Sequence, residues 1–116
     1  MAEILLFIKD FEMGSKISSI CVDNGRDVEF SDENTDPNLF KDSLKLAIVD
    51  MDEKVFLSIG LVSELKRRGL KVIGILDLVN NKTQKKLRNA GCDIILPRLS
   101  ILKNIYVVHA DTKIIY

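Results

Sequence analysis

Short apolar runs alternate along the whole chain with segments whose apolar positions recur at helical spacing. Ile4-Leu5-Leu6-Phe7-Ile8 marks a first strand over about Glu3 to Ile8, and its unbroken apolar character suits a strand covered on both faces. Met13, Ile17, Ile20 and Cys21 then repeat as one face of a helix, which Asn24-Gly25 closes as a left-handed cap would. Asp27 to Phe30 alternates and reads as a short second strand. The polar stretch Ser31 to Asp36 leads to Pro37, which suits the first turn of a short second helix behind an aspartate cap.

Leu46 to Val49 is the third strand, and Glu53 to Arg68 carries the clearest helical stripe, with Phe56, Ile59 and Leu65 on it. Glu53 in its first turn, Lys66-Arg67-Arg68 in its last and Gly69 just beyond all agree with the helix dipole. The basic triplet is therefore explained without a ligand. Val72 to Leu76 gives strand four, Asn80-Asn81 a cap, Thr83 to Asn89 a fourth helix ended by Gly91, and Cys92 to Leu96 strand five. Beyond Pro97 two readings stay open. The favoured one is a fifth helix over Ser100 to Ala110 burying Leu102, Ile105 and Val108; the other is a strand pair, Tyr106-Val107-Val108 and Lys113-Ile114-Ile115. The alternation predicts an α/β sandwich with a five-stranded parallel sheet between helical layers, as one domain over residues 1–116.

Charge narrows the function classes. Lys plus Arg is 17 and Asp plus Glu is 17, with no polybasic tract to track a phosphate backbone, so nucleic acid is not an expected partner. Apolar stretches of five or six residues are too short to cross a bilayer, and no secretory h-region follows Met1, so a cytoplasmic location is expected. Cys21 and Cys92 lack any metal-binding spacing and read as core residues. No Ser-His-Asp arrangement, Gly-x-Gly-x-x-Gly loop or P-loop is present, and His109, the single histidine, is given no catalytic role. An enzyme is not expected.

The informative chemistry is acidic. Asp50 ends strand three and Asp10 follows strand one, which places both at the carboxyl edge of a parallel sheet, where α/β proteins bind ligands. Each could also be a plain cap of its βα turn. Asp52 and Asp77 bring further acid to the same edge, so Asp10, Asp50, Asp52 and Asp77 are a candidate divalent-ion site.

Five βα units in this length, with acids at the ends of strands one and three, resemble the receiver domain of bacterial two-component response regulators, a flavodoxin-like fold. The resemblance implies an acidic pair and an aspartate holding Mg²⁺, with that aspartate as phosphoacceptor. It also implies a hydroxyl residue after strand four and a lysine after strand five on the phosphoryl oxygens. On this chain the phosphoacceptor position falls on Asp50 and the acidic pair on Lys9-Asp10. Asp52 stands where the family offers a backbone carbonyl to the metal. Leu76 takes the hydroxyl position beside Asp77, Leu96 precedes Pro97 where a lysine is usual, and Arg98 is the nearest cation. The aromatic switch position is taken by Ile95.

These substitutions predict a degenerate receiver, or pseudo-receiver, in which Mg²⁺ binding is weak or absent and aspartyl phosphorylation impaired. Lys9 is the expected built-in cation beside Asp50. Such a domain is expected to act in signalling by protein contacts, with a histidine kinase or downstream signalling protein as partner and self-association as a further expectation. Two alternatives remain: an atypical receiver phosphorylated on Asp50, or a small metal- or nucleotide-binding protein using the acidic edge.

Overall fold

The computed structural model describes residues 2–32, 34–56, 59–77 and 80–98. The strands are β1 (Ile4–Phe7), β2 (Val28–Phe30), β3 (Leu46–Asp50), β4 (Lys71–Leu76) and β5 (Ile94–Pro97). The α-helices are α1 (Phe11–Asp23), α2 (Ile59–Arg67) and α3 (Asn81–Ala90). All strand pairs are parallel, in the order β2-β1-β3-β4-β5. The chain moves outward from β1 to β2 and returns past β1 to β3, so the strand order reverses between β1 and β3, where open α/β sheets form their ligand crevice.

The apolar runs fill two cores, one on each face of the sheet. Leu5, Phe7, Ala47, Val49 and Val72 face Val62 and Leu65 of α2 and Leu87 of α3. Ile4, Leu6, Ile48, Ile73 and Ile75 face Met13, Ile17 and Cys21 of α1. Successive side chains of a strand point to opposite faces, so a run buried on both faces must be apolar throughout. β1 and β3 are buried along their full length. Cys21 and Cys92 lie in these cores, and burial pushes their thiols up to about 12 and about 11, leaving them protonated and unreactive at neutral pH.

Two expected elements differ. The helix expected from Glu53 begins at Ile59, and residues 51–56 form turns instead. In those turns the Phe56 N–H donates to the Glu53 carbonyl, and the Phe56 ring enters the core, so its place on the helical stripe reflects burial rather than helical winding. The second helix is one 3-10 turn, Pro37–Leu39, behind Asp36, whose carboxylate accepts from the Asn38 N–H at 2.9 Å. The helix or strand pair expected beyond Ser100 lies outside the described residues.

The ends of α3 follow the sequence closely. Asn80 Oδ1 accepts from the Thr83 N–H at 2.9 Å, and Gly91 closes the helix at φ +109°. A Cβ at Gly91 would meet Lys66 Cγ at 2.8 Å, and Lys66 is held by an ion pair of 2.8 Å to Asp93. Gly91→Ala is therefore expected to cost about 1–3 kcal/mol through backbone strain, read as a lower urea midpoint at unchanged slope. An unchanged midpoint would show that this turn relaxes freely.

Candidate functional site

The carboxyl edge of the sheet gathers four carboxylates around one guanidinium. Asp50 is the last residue of β3 and lies in register with Ile75, so the strand itself aims it at this edge. Leu76 pairs with Pro97, which makes Asp77 and Arg98 the next residues of adjoining strands. β5 and β3 are separated by β4, a span of ~10 Å that requires a long side chain on one partner. Arg98 supplies it.

Arg98 Nη2 donates to Asp50 Oδ1 at 2.5 Å and to Asp52 Oδ2 at 3.0 Å. Its Nε lies 2.8 Å from Asp77 Oδ1 and 3.3 Å from Asp52 Oδ2. Nη1 lies 4.0 Å from Asp10 Oδ2 and 3.2 Å from the Met13 sulfur. The Asp50 side chain is 1% exposed, whereas that of Asp77 is 66% exposed, so the guanidinium bridges from a buried charge to a solvated one. The hydrogen bond to Asp50 is the largest cause of an upward shift in the Arg98 pKa, helped by Asp52 and opposed by desolvation. Arg98 is thus cationic at every accessible pH.

Turn chemistry fixes the acids as well. Asp10 is the N-cap of α1, its Oδ1 accepting from the Met13 N–H at 3.2 Å. Asp50 Oδ1 also accepts from the Asp52 N–H at 3.1 Å, which folds the chain back at the end of β3. Capping and clustering are therefore combined in the same side chains. Asp50 Oδ2 is buried without a hydrogen-bond partner, and an unmet acceptor of this kind costs free energy unless something fills it.

The remaining sequence candidates fall outside the cluster or line its rim. Leu76 is buried at the end of β4 in the core under α2 and α3, and offers no hydroxyl toward Asp50. Ile95 lies in the same core. Lys9 is exposed and lines a surface groove with Phe11, Ser15, Ser18, Ser19 and Phe30. Arg98, the cation nearest the position where a lysine is usual, reaches Asp50. The signal available in the sequence was register: Arg98 follows Pro97 as Asp77 follows Leu76, and the two strands are neighbours.

The arrangement does not fit a divalent cation. Mg²⁺ requires oxygen ligands at ~2.1 Å on an open face of the cluster, and here the guanidinium takes that position on the Asp50 and Asp52 oxygens. Among the described residues no group of three or more His, Cys, Asp or Glu side chains is disposed to hold a metal ion. No described helix is long and apolar enough to cross a membrane.

No protein-family model matches the sequence, and no curated protein does. Solved structures do match. A response regulator from Burkholderia pseudomallei, with a phosphorylated aspartic acid, calcium ion and citrate, is 13% identical at a TM-score of 0.75, over 97% of this chain and 68% of that one. A response regulator from Thermotoga maritima is 12% identical at a TM-score of 0.72, over 96% of this chain and 99% of that one. An orphan response regulator of H. pylori is 14% identical at a TM-score of 0.72, over 97% and 93%. The likeness is one of fold, and the fold expected from the sequence is the one found: a five-stranded parallel α/β sandwich with the flavodoxin-like architecture of response-regulator receiver domains.

Proposed function

We propose that this chain is a receiver-like signalling domain whose buried Asp50 carboxylate is paired from within, by Arg98, and which acts through protein contacts rather than through aspartyl phosphorylation. The observation that carries the reading is the 2.5 Å contact between Arg98 Nη2 and the buried Asp50 carboxylate. A phosphoacceptor must present an oxygen to the donor and have its charge offset by a cation that also meets the phosphoryl group. Here the offsetting cation is a side chain already committed to four carboxylates, and Asp50 has almost no accessible surface. With Leu76 in place of a hydroxyl and Leu96 before Pro97, the groups that would steady phosphoryl oxygens are missing from the sequence. A single cytoplasmic domain, bound to a histidine kinase or a downstream signalling protein and without enzymatic activity, is the setting that suits this chemistry.

The test is incubation of the purified protein with Mg²⁺ and acetyl phosphate, followed by intact-mass measurement, with Asp50→Asn as control. The expected result is an unchanged mass and an unfolding midpoint insensitive to Mg²⁺. A phosphoryl adduct absent from the variant would instead support the second reading, an atypical receiver phosphorylated on Asp50. That reading draws on Asp50 Oδ2, the carboxylate oxygen with no partner.

A further inference from the structure

The chain is neutral overall, yet its charge is divided between the two edges of the sheet. The described residues 27–32 and 34–42, which include β2 and the 3-10 turn beyond it, hold five acids against the single Lys41. At the other edge, α3 joins β4 to β5 and carries Lys82, Lys85, Lys86 and Arg88 with no acid. All four of these cations are exposed, and none forms an ion pair with a described residue. The basic residues at the end of α2 differ: Arg67 and Arg68 are paired with Glu64, and Lys66 with Asp93. Among the described residues, α3 thus gathers four exposed cations without an ion pair within seven positions.

The acidic edge also exposes apolar surface. Leu39, in the 3-10 turn, is 75% exposed, and Phe30, which ends β2, is 53% exposed. Charge around exposed apolar side chains is the composition of a contact patch with a polar rim. The helix α2 separates the two regions. It packs against α3 on one side, and on the other Arg68 Nη2 donates to Asn38 Oδ1 at 2.9 Å. The two patches therefore cannot neutralise one another within one molecule.

We infer that this chain associates with further copies of itself head to tail, the α3 cations of one copy against the acidic β2 edge of the next. Patches of opposite sign on opposite edges cannot both be satisfied by one two-fold contact, so the contact is heterologous and each copy can bind two others. The occupant follows from charge: the surface that complements α3 in sign, and that carries apolar side chains to desolvate, is present on every copy. This inference is independent of the Arg98 cluster.

Sedimentation velocity of the full chain over a concentration series, at ~10 mM and ~500 mM salt, tests it, since the screening length falls from about 30 Å to below 8 Å over that range. The expected result is a concentration-dependent ladder of species at low salt and at least a tenfold weaker association at high salt. A monomer at low salt, a closed dimer, or an assembly indifferent to salt overturns it. Two charge-reversed variants add a check that does not depend on wild-type affinity. Lys82→Glu/Lys85→Glu/Lys86→Glu and Glu29→Lys/Asp42→Lys are each expected to be monomeric alone, with native circular dichroism, and to associate when mixed. Failure of the folded pair to associate on mixing also overturns the inference.

Discussion

Arg98→Ala is expected to make the protein at once less stable and responsive to Mg²⁺. Removing the guanidinium leaves the buried Asp50 carboxylate without its cation and lets four acids repel one another across the sheet edge. Breaking one side of a buried ion pair typically costs 3–5 kcal/mol, and the lower value, about 3 kcal/mol, suits a guanidinium that keeps 24% of its side-chain surface. The same change opens the face that oxygen ligands would turn to a hard cation, so added Mg²⁺ should recover part of the loss. Binding to the folded state alone raises stability by ~1.4 kcal/mol at about tenfold excess over Kd. Urea unfolding of wild type and variant across a Mg²⁺ titration measures both effects. Equal responses in the two proteins would mean that Arg98 does not exclude the metal. Arg98→Lys separates charge from shape: an ammonium restores one cation but not the fork that reaches Asp50, Asp52 and Asp77 together.

Phe56→Ala should have the largest effect on stability of any single change near the site, about 4 kcal/mol. Phe56 is 1% exposed and packs edge-to-face against Phe7, ring centroids 5.5 Å apart at 75°. It closes the turns that begin at Asp50, so its ring ties the Asp52 loop to the core. The expected fall in Tm is ~15 °C or more for a domain of this size. Phe56→Leu, which keeps most of the volume, should cost less than half as much. If the two variants lose the same amount, edge-to-face packing rather than cavity formation dominates, and the estimate from volume is wrong.

The strands were legible because a sheet buried on both faces demands unbroken apolar runs, which Ile4 to Phe7 and Leu46 to Val49 supply. Helix ends were legible where a cap makes them: Asn80 and Gly91 bound α3 by hydrogen bonding and positive φ, both properties of the residue itself. The start of α2 was not, because Phe56 fits a helical stripe and an anchored turn equally well, and only packing distinguishes them. The acids of the site were legible one strand at a time, since Asp50 and Asp10 sit where their own strands end. Their cation was harder to assign. Arg98 reaches Asp50 from two strands away, and that proximity is a property of strand order rather than of any local motif.

A counter-ion carried on the chain differs from one borrowed from solution in that it cannot be chelated, diluted or exchanged. A site held by a free divalent ion reports on that ion's concentration and on the ligands competing for it. The Asp50–Arg98 contact, once folded, has an effective concentration set by the length of β5 and the spacing of the strands. On the function proposed above, its occupancy is the same in a cell rich in magnesium and in one depleted of it, and a surface that this edge presents to other proteins stays constant for as long as the fold persists.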